Sequence, residues 1–262
     1  MTGLAIGVVR GAVRGYTTIL FDLFDTLVRF DPTRLPSIRV NGREVRSSVG
    51  SLYPLAAGVL SGVSLESFYE AFRWSYREAE RLRASNHREI GARDRFGFFY
   101  RRLGVNGASV PAGMTDRLLA AHMACLTGAA EPVPGRPELL DWLAGRYRLG
   151  VVSNFDYTPT VERILGEAGI RDRFDTVVVS DDVGWRKPRA AIFQAAFARL
   201  GVGPRECLFV GDRPEIDVVG AKGVGMDVAW LNPERVPVPD GLPAPDFDVE
   251  ELAHLRRILE TG

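Results

Sequence analysis

Four short motifs hold the side chains of this sequence that could do chemistry. They are Asp22-Leu23-Phe24-Asp25-Thr26, Ser153-Asn154, Lys187-Pro188 and Gly211-Asp212-Arg213-Pro214-Glu215-Ile216-Asp217. Carboxylates can act as nucleophiles or as ligands of a hard cation, and a hydroxyl, an amide and an amine can bind an anionic group. If the motifs meet in space, they indicate metal-assisted chemistry on an anionic substrate.

Apolar runs precede three of these motifs. Ile19-Leu20-Phe21 leads into Asp22, Leu149-Gly150-Val151-Val152 into Ser153, and Leu208-Phe209-Val210 into Gly211-Asp212. Short apolar runs of this kind are typical of buried parallel strands, and ligands of open α/β sheets bind at the carboxyl ends of the strands. We therefore expect the polar side chains to meet at one edge of a sheet.

The second half of the chain alternates between strand and helix patterns. Strands are predicted near 149–152, 174–180, 207–210 and 227–231, and helices over 136–147, 161–168, 188–200 and 217–224. This alternation predicts the α/β class, with a doubly wound parallel sheet of the Rossmann-like kind. A Pro-rich irregular segment over 232–245 and a closing helix over 250–259 complete the prediction.

A different pattern fills the region between the first and second motifs. Residues 38–45 read as a small hairpin around Asn41-Gly42. Helices are predicted over 65–84, with Ser64 as the N-cap, and over 93–103 and 115–126.

Composition excludes several classes of function. The formal net charge is zero, so no global field favours nucleic acid or an anionic membrane. The two cysteines lie far apart and suggest neither a disulfide framework nor a zinc site. Residues 1–15 are too short and too interrupted for a membrane span, and a loosely ordered start is expected there. A cytoplasmic location follows by default, and the oligomeric state stays open.

The chain has 31 arginines and only two lysines, Lys187 and Lys222. Because an ammonium and a guanidinium are not equivalent at a crowded site, the lysine in a motif is expected to be functional. The three histidines show no metal-ligand spacing, and surface or incidental roles are expected for them.

The order and spacing of the four motifs resemble those of the haloacid dehalogenase superfamily, most of whose members are Mg²⁺-dependent phosphatases. The resemblance extends from about Thr18 to Asp227. It implies a Rossmann-like core formed by residues 16–30 and 132–262, with a helical cap domain over 31–131 inserted after the first strand. It also implies a small phosphorylated metabolite as the substrate.

The resemblance assigns a role to each motif. Asp22 becomes the nucleophile that forms an aspartyl-phosphate, and Asp22, Asp212, Asp217 and the backbone carbonyl of Phe24 hold Mg²⁺. Ser153, Asn154 and Lys187 hold the phosphoryl group, with Ser153 and Lys187 counted as catalytic. Thr26 is grouped with the phosphate-binding residues and is expected to form a hydrogen bond that orients the first loop. Simpler readings exist for three of them: Asp22 and Ser153 could cap turns or helices, and Asp217 could cap the helix after it.

The chain departs from the superfamily pattern at Phe24, where the usual residue is a second aspartate that protonates the leaving group. Asp25 could replace it in part, or the enzyme could be slow, prefer good leaving groups or use a cap residue. A metal-independent 2-haloacid dehalogenase is the alternative enzyme, because those proteins resemble this chain in having an aromatic residue there. The other alternative is a phosphate- or partner-binding protein with weak or no turnover. Phosphonate-cleaving relatives use a cap lysine, and this chain has none before Lys187.

Overall fold

The computed structural model describes residues 15–106 and 110–260, and within them a six-stranded parallel sheet is the centre of the molecule. The predicted loosely ordered start therefore lies outside the described residues, apart from Gly15. The strands are β1 (Thr18–Phe21), β2 (Val28–Phe30), β3 (Ser37–Val40), β4 (Arg43–Arg46), β5 (Ala130–Pro132), β6 (Arg148–Ser153), β7 (Thr176–Val179), β8 (Cys207–Gly211), β9 (Asp227–Leu231) and β10 (Phe247–Val249). The sheet order is β10-β9-β8-β1-β6-β7. The predicted α/β class with a doubly wound parallel sheet is confirmed.

The central strand β1 is buried on both faces, which explains its continuous apolar sequence. Ile19 and Phe21 belong to the core on one face, and Leu20 belongs to the core on the other. In register, Phe21 lies beside Val151 of β6 and Val210 of β8. The three strands that precede reactive motifs are therefore immediate neighbours, and they end together.

Ten α-helices accompany the strands in the described residues. They are α1 (Val49–Ala56), α2 (Leu65–Asn86), α3 (Ala92–Arg102), α4 (Met114–Ala129), α5 (Arg136–Ala144), α6 (Thr158–Glu167), α7 (Ser180–Val183), α8 (Ala190–Leu200), α9 (Val219–Gly223) and α10 (Leu255–Glu260). No helix of the described residues is both long and apolar enough to cross a membrane.

Helices α1 to α4, residues 49–129, form a helical block with a core of its own. Its buried residues include Leu52, Phe68, Phe96 and Leu118, and they make a cluster distinct from the two that cover the sheet. Strands β2 and β5 pair antiparallel, so the chain enters and leaves the block side by side.

The predicted hairpin is formed by β3 and β4. Asn41 and Gly42 have φ angles of 49° and 76°, the left-handed values that a two-residue hairpin turn of this type needs. The predicted N-cap is also present, because the Ser64 hydroxyl accepts a hydrogen bond from the Ser67 N–H at 3.2 Å.

Several elements differ from the prediction. Strands β2, β5 and β10 and the short helix α7 have no counterpart in it, and the closing helix expected over 250–259 begins only at Leu255. The helix expected over 217–224 begins instead as a π-helical turn, Pro214–Val218, and continues as α9. Helix α1 was not predicted, since Pro54 lies inside it and its apolar residues Val49, Leu52 and Ala56 show no strong amphipathic pattern. Residues 232–245 have no helix or strand, as expected.

We expect Gly150→Ala in β6 to lower the free energy of unfolding by about 1–3 kcal/mol, because overpacking a tight core costs this much. A Cβ atom there would lie 2.7 Å from Leu20 Cδ2 and 3.0 Å from Thr176 Cγ2. Gly166→Ala in α6 is the matched control, since its Cβ would meet nothing within 4 Å. Urea unfolding of both variants measures the difference, and equal stabilities would contradict this packing.

Candidate active site

The carboxyl ends of three adjacent strands bring the predicted site residues together. Asp22 follows β1, Ser153 is the last residue of β6, and Asp212 follows Gly211 at the end of β8. These residues line one cleft of about 180 Å³ together with Lys187 and Asp217. The predicted meeting of the four motifs at one edge of the sheet is therefore what the fold produces.

Lys187 connects the nucleophile candidate to the acidic turn. Its Nζ lies 2.5 Å from Asp22 Oδ1 and 2.9 Å from Asp217 Oδ1. The side chains of Lys187 and Asp217 are each only 1% exposed, so both charges sit in a nearly dry environment. Because buried charges need a partner, neither side chain is free to turn away.

Three carboxylates of this site could hold one metal ion. One oxygen from each of Asp22, Asp212 and Asp217 lies within 4.8 Å of the others. Asp212 Oδ1 is buried and has no hydrogen-bond partner in the described part of the chain. With Lys187 as the cation in contact, ionised carboxylates leave two excess negative charges. This donor set fits a divalent cation that prefers oxygen ligands.

Burial and crowding change how these groups bind protons. The pKa of Asp22 is raised to about 6, mainly by burial, with Lys187 lowering it and Asp217 raising it. The pKa of Asp212 is raised to about 7 by burial and by the charges of Asp22 and Asp217. Burial acts to lower the pKa of Lys187, but the carboxylates of Asp217 and Asp22 together raise it. Asp22 and Asp212 therefore keep a proton to a higher pH than an ordinary carboxyl group does, while Lys187 stays charged.

The turn after β8 fixes the two acidic residues of the last motif. Asp217 lies in the π-helical turn, and its Oδ2 accepts a hydrogen bond from the Arg213 N–H at 3.0 Å. A Cβ atom at Gly211 would collide with the Asp217 carboxylate, so this approach requires glycine. The Trp230 Nε1–H donates to the carbonyl of Asp212 at 2.9 Å. The orientation of the Asp217 carboxylate is therefore set by the π-helical turn and not by a regular helix N-terminus.

The neutral residues of the motifs divide into two kinds. Ser153 Oγ is buried and has no hydrogen-bond partner within the described residues. The Asn154 side chain is already engaged: its Nδ2 donates to Lys187 O at 3.0 Å, and its Oδ1 accepts from Lys187 N at 2.7 Å. The hydrogen bond expected of Thr26 is absent, because its buried Oγ1 finds no partner in the described residues. Thr26 thus packs in the loop and does not orient it by a side-chain hydrogen bond.

Phe24 lines the cleft, and its ring packs against two other aromatic rings. Its ring lies 5.5 Å from that of Phe155 and 6.0 Å from that of Phe30, measured between centroids. The next residue, Asp25, has a φ of 56° and accepts a hydrogen bond from Phe30 N at 3.2 Å, yet it also lines the cleft. Asp25 therefore belongs to the lining of the cleft, while its carboxylate is hydrogen-bonded to the Phe30 N–H.

Sequence reasoning missed two residues that lie next to the motifs but outside them, Arg186 and Phe155. Arg186 lines the cleft, and Phe155 packs on Phe24. Of the two roles expected for His122, surface or incidental, the structure excludes the surface role, because the residue is buried, with Nδ1 2.8 Å from Ser48 Oγ. Burial, followed by the nearby charge of Arg95, lowers the pKa of His122 to about 3. His122 follows the buried Leu118 and Leu119 of α4 by four and three residues, and this helical spacing is the signal that could have indicated its burial.

Comparison with known proteins identifies related sequences and folds. The family model for haloacid dehalogenase-like hydrolases matches residues 16–225. A glyceraldehyde 3-phosphate phosphatase of Pyrococcus abyssi is 32% identical over 218 residues, which cover 81% of this chain and 80% of that protein.

Two further proteins have more limited similarity. The pyrimidine 5'-nucleotidase YjjG of Escherichia coli is 32% identical over 144 residues, and the match covers 55% of this chain but only 63% of that protein. The crystal structure of a 2-haloacid dehalogenase from Pseudomonas syringae pv. Tomato has a TM-score of 0.70 and 24% identity, with 94% of this chain and 99% of that one covered. At this identity the structural match establishes the fold alone.

The raised pKa values of Asp22 and Asp212 predict a pH-dependent stability in the metal-free protein. Their folded-state values of about 6 and about 7 exceed the ordinary value of 3.8, so the folded protein holds more protons than the unfolded chain between these limits. The contribution of these groups to the free energy of unfolding therefore falls as pH rises from about 4 to about 7.

We expect the free energy of unfolding of Asp212→Asn to fall less steeply with pH than that of the wild type. The difference in slope should be up to about 1.4 kcal/mol per pH unit, the most that one titrating group contributes. Urea unfolding in EDTA across this pH range gives the slope. Asp240→Asn removes an exposed carboxylate and serves as the control, for which the slope should match that of the wild type. A wild-type slope in Asp212→Asn would contradict the crowding of these carboxyl groups.

Proposed function

Since this chain belongs to the haloacid dehalogenase-like hydrolases, whose family model covers residues 16–225, we propose that it is a Mg²⁺-dependent phosphatase. The proposed substrate is a small phosphorylated metabolite, and the proposed intermediate is an aspartyl-phosphate at Asp22. The observation that supports this most is the group of Asp22, Asp212 and Asp217 around the buried ammonium of Lys187. The name of the Pyrococcus abyssi relative, a phosphatase, supports the same reaction class.

The proposed metal ligands are Asp22, Asp212, Asp217 and the backbone carbonyl of Phe24. A divalent cation, when bound, supplies the charge neutralisation that lets a carboxylate approach an anionic phosphoryl group. Support comes from the two excess negative charges of the cluster and from the buried, unpaired Asp212 Oδ1. A carbonyl ligand at position 24 does not depend on the side chain there, so Phe24 is compatible with this site.

In the proposed first step, a carboxylate oxygen of Asp22 forms a bond to phosphorus while the ester P–O bond breaks. The bonding electrons leave with the alkoxide, which takes up a proton. Water then attacks phosphorus, releases inorganic phosphate and restores the Asp22 carboxylate. The ammonium of Lys187 and the hydroxyl of Ser153 stabilise the charge on the transferring phosphoryl oxygens, which is where most catalysis of this reaction arises.

Asn154 and Thr26 have supporting parts in this proposal. Both polar atoms of the Asn154 side chain hold the backbone of Lys187, so its contribution is to fix the ammonium that meets the phosphoryl group. The phosphate contact proposed for Thr26 would use its buried hydroxyl, which has no hydrogen-bond partner among the described residues.

The helical block, within the proposed cap of residues 31–131, is where substrate choice is proposed to arise. Tyr69, Tyr76, Arg73 and Arg77 line a cavity of about 470 Å³ at the junction with Phe30 of β2. Cationic and aromatic side chains together suit an anionic or ring-bearing leaving group. The proposed location is the cytoplasm, for which the two free thiols of Cys125 and Cys207 are the support.

A metal-independent 2-haloacid dehalogenase is the second candidate, and the ring of Phe24 favours it. The ring of Phe24, which packs on those of Phe155 and Phe30, gives the cleft of the nucleophile candidate an apolar surface. A departing halide needs no proton, so the absence of an acid at position 24 would not hinder that reaction. The carboxylate cluster opposes this candidate, because Lys187 alone leaves two of the three closely spaced negative charges without a compensating cation.

We expect hydrolysis of an aryl phosphate to require Mg²⁺, to stop in EDTA and to return when Mg²⁺ is restored. Asp22→Asn should lose more than nine tenths of kcat while its circular dichroism spectrum stays that of the wild type. A 2-haloacid is assayed in parallel with EDTA present. Full dehalogenation in EDTA would replace the phosphatase with the second candidate, and turnover of neither substrate would favour a binding protein.

The missing acid at Phe24 should leave a kinetic signature. General acid help is typically worth about 10²–10⁴-fold, so alkyl phosphates, which have basic leaving groups, should be hydrolysed far more slowly than aryl phosphates. We expect Phe24→Asp to reduce this difference in rate by accelerating the hydrolysis of alkyl phosphates. Phe24→Leu, which removes the ring without adding an acid, should leave the difference unchanged.

Both variants must first pass a folding check by circular dichroism, because each loses contacts with Phe155 and Phe30. A folded Phe24→Asp enzyme with the wild-type ratio of alkyl to aryl rates would refute a limiting role for the missing acid. Asp25, which also lines the cleft, would then be the leading candidate for the acid.

A further inference from the structure

A loop of the helical block is paired with the segment that leads into Lys187. The Glu89 N–H donates to Gly184 O, and the Arg186 N–H donates to His87 O, both at 2.9 Å. Between them, Arg88 and Trp185 form an isolated antiparallel bridge. The residue that immediately precedes the catalytic lysine candidate is thus fixed to the loop between α2 and α3.

The Glu89 carboxylate strengthens this junction from inside. Its side chain is 2% exposed, with Oε1 2.8 Å from Arg83 Nη2 and Oε2 2.6 Å from Arg186 Nη1. The hydroxyl of Ser180 donates to the same Oε2. A carboxylate this deeply buried is held in place by its two guanidinium partners, because loss of either would leave an uncompensated charge.

Arg186 and Ser180, the two residues that contact Glu89 Oε2, are both connected to the catalytic cleft. Arg186 lines the cleft and precedes Lys187 in the chain. Ser180 Oγ also accepts a hydrogen bond from the Phe155 N–H at 3.0 Å. Phe155 follows Asn154, whose side chain forms two hydrogen bonds with the backbone of Lys187. Glu89 therefore restrains the lysine from two directions, through the segment before it and through the loop that holds it.

We propose that Glu89 is a positioning residue for Lys187, and that it couples the helical block to the ammonium of the active site. As a statement about catalysis, this rests on the proposed phosphatase function. The ammonium must reach Asp22 at 2.5 Å and Asp217 at 2.9 Å together, so its tolerance for displacement is small. A misplacement of about 1 Å in such a site can reduce turnover by about 10²-fold.

Lysine-selective NMR offers a direct test, because the chain contains only Lys187 and Lys222. With ¹³C-labelled lysine, the ε-methylene groups give two signals. The Lys187 signal is sensitive to small movements, since Nζ lies 5.1 Å from the centroid of the Phe209 ring. Lys222, paired with Asp246 at 2.8 Å, is the internal reference.

We expect Glu89→Gln to shift the Lys187 signal and to leave that of Lys222 unchanged. Glu80→Gln is the matched control: Glu80 pairs with the same Arg83, at 2.5 Å, but its side chain is 50% exposed and, within the described residues, makes no ion pair or hydrogen bond with Arg186. It should shift neither signal. Glu89→Asp keeps the charge on a shorter side chain, and it should shift the Lys187 signal less than Glu89→Gln does.

Kinetics on the holoenzyme with Mg²⁺ and an aryl phosphate complete the test. We expect Glu89→Gln to lower kcat at least about tenfold with KM changed less than about threefold, and Glu80→Gln to stay within about twofold of the wild type. Should Glu89→Gln fail to fold, Glu89→Asp is judged by the same signals and rates.

An unmoved Lys187 signal in a folded Glu89 variant, or an equal shift in Glu80→Gln, would overturn the positioning role. The NMR result needs neither metal nor substrate. A wild-type protein without phosphatase activity would therefore refute the proposed function and leave the positioning test intact.

Discussion

The site depends on the close approach of three carboxylates around one buried ammonium. The oxygens of Asp22, Asp212 and Asp217 lie within 4.8 Å of one another, and Lys187 contacts two of these groups. One ammonium cannot balance three carboxylates in a nearly dry place, and the raised pKa values of Asp22 and Asp212 are the consequence. The same constraint explains why Gly211 has no room for a side chain and why a divalent cation suits the cluster.

The fold satisfies this constraint from three directions. The parallel sheet delivers Asp22 and Asp212 from neighbouring strand ends, and a π-helical turn adds Asp217. The loop of Asn154 fixes the backbone of Lys187 by two hydrogen bonds. The helical block contributes through Glu89, so an element far from the nucleophile in sequence takes part in arranging the charges. In the proposed mechanism, the sheet edge supplies the reacting groups, and the helical block helps to position them.

Much of this arrangement could be predicted from the sequence, because the residues that matter follow buried strands. The apolar run before Asp22 predicts both the strand and the sheet edge at which that strand ends. The pairing of Glu89 with Arg186 could not be foreseen, since the two are 97 residues apart and only the tertiary fold joins them. The free hydroxyl of Thr26 contradicts a local expectation, because the packing of a tight loop decides hydrogen bonds that residue type alone does not. The burial of His122 likewise depends on Arg95 and Ser48, which approach it from other elements.

The central claim is that Asp22 takes the phosphoryl group. The most direct measurement quenches the Mg²⁺-loaded enzyme in acid during turnover of an aryl phosphate, reduces the protein with borohydride and sequences its peptides by mass spectrometry. An acyl phosphate on the side chain would be reduced to the alcohol, so the account predicts homoserine at position 22, dependent on substrate and absent in Asp22→Asn. Turnover with an unmodified Asp22, or with the reduced residue at another aspartate, would contradict it.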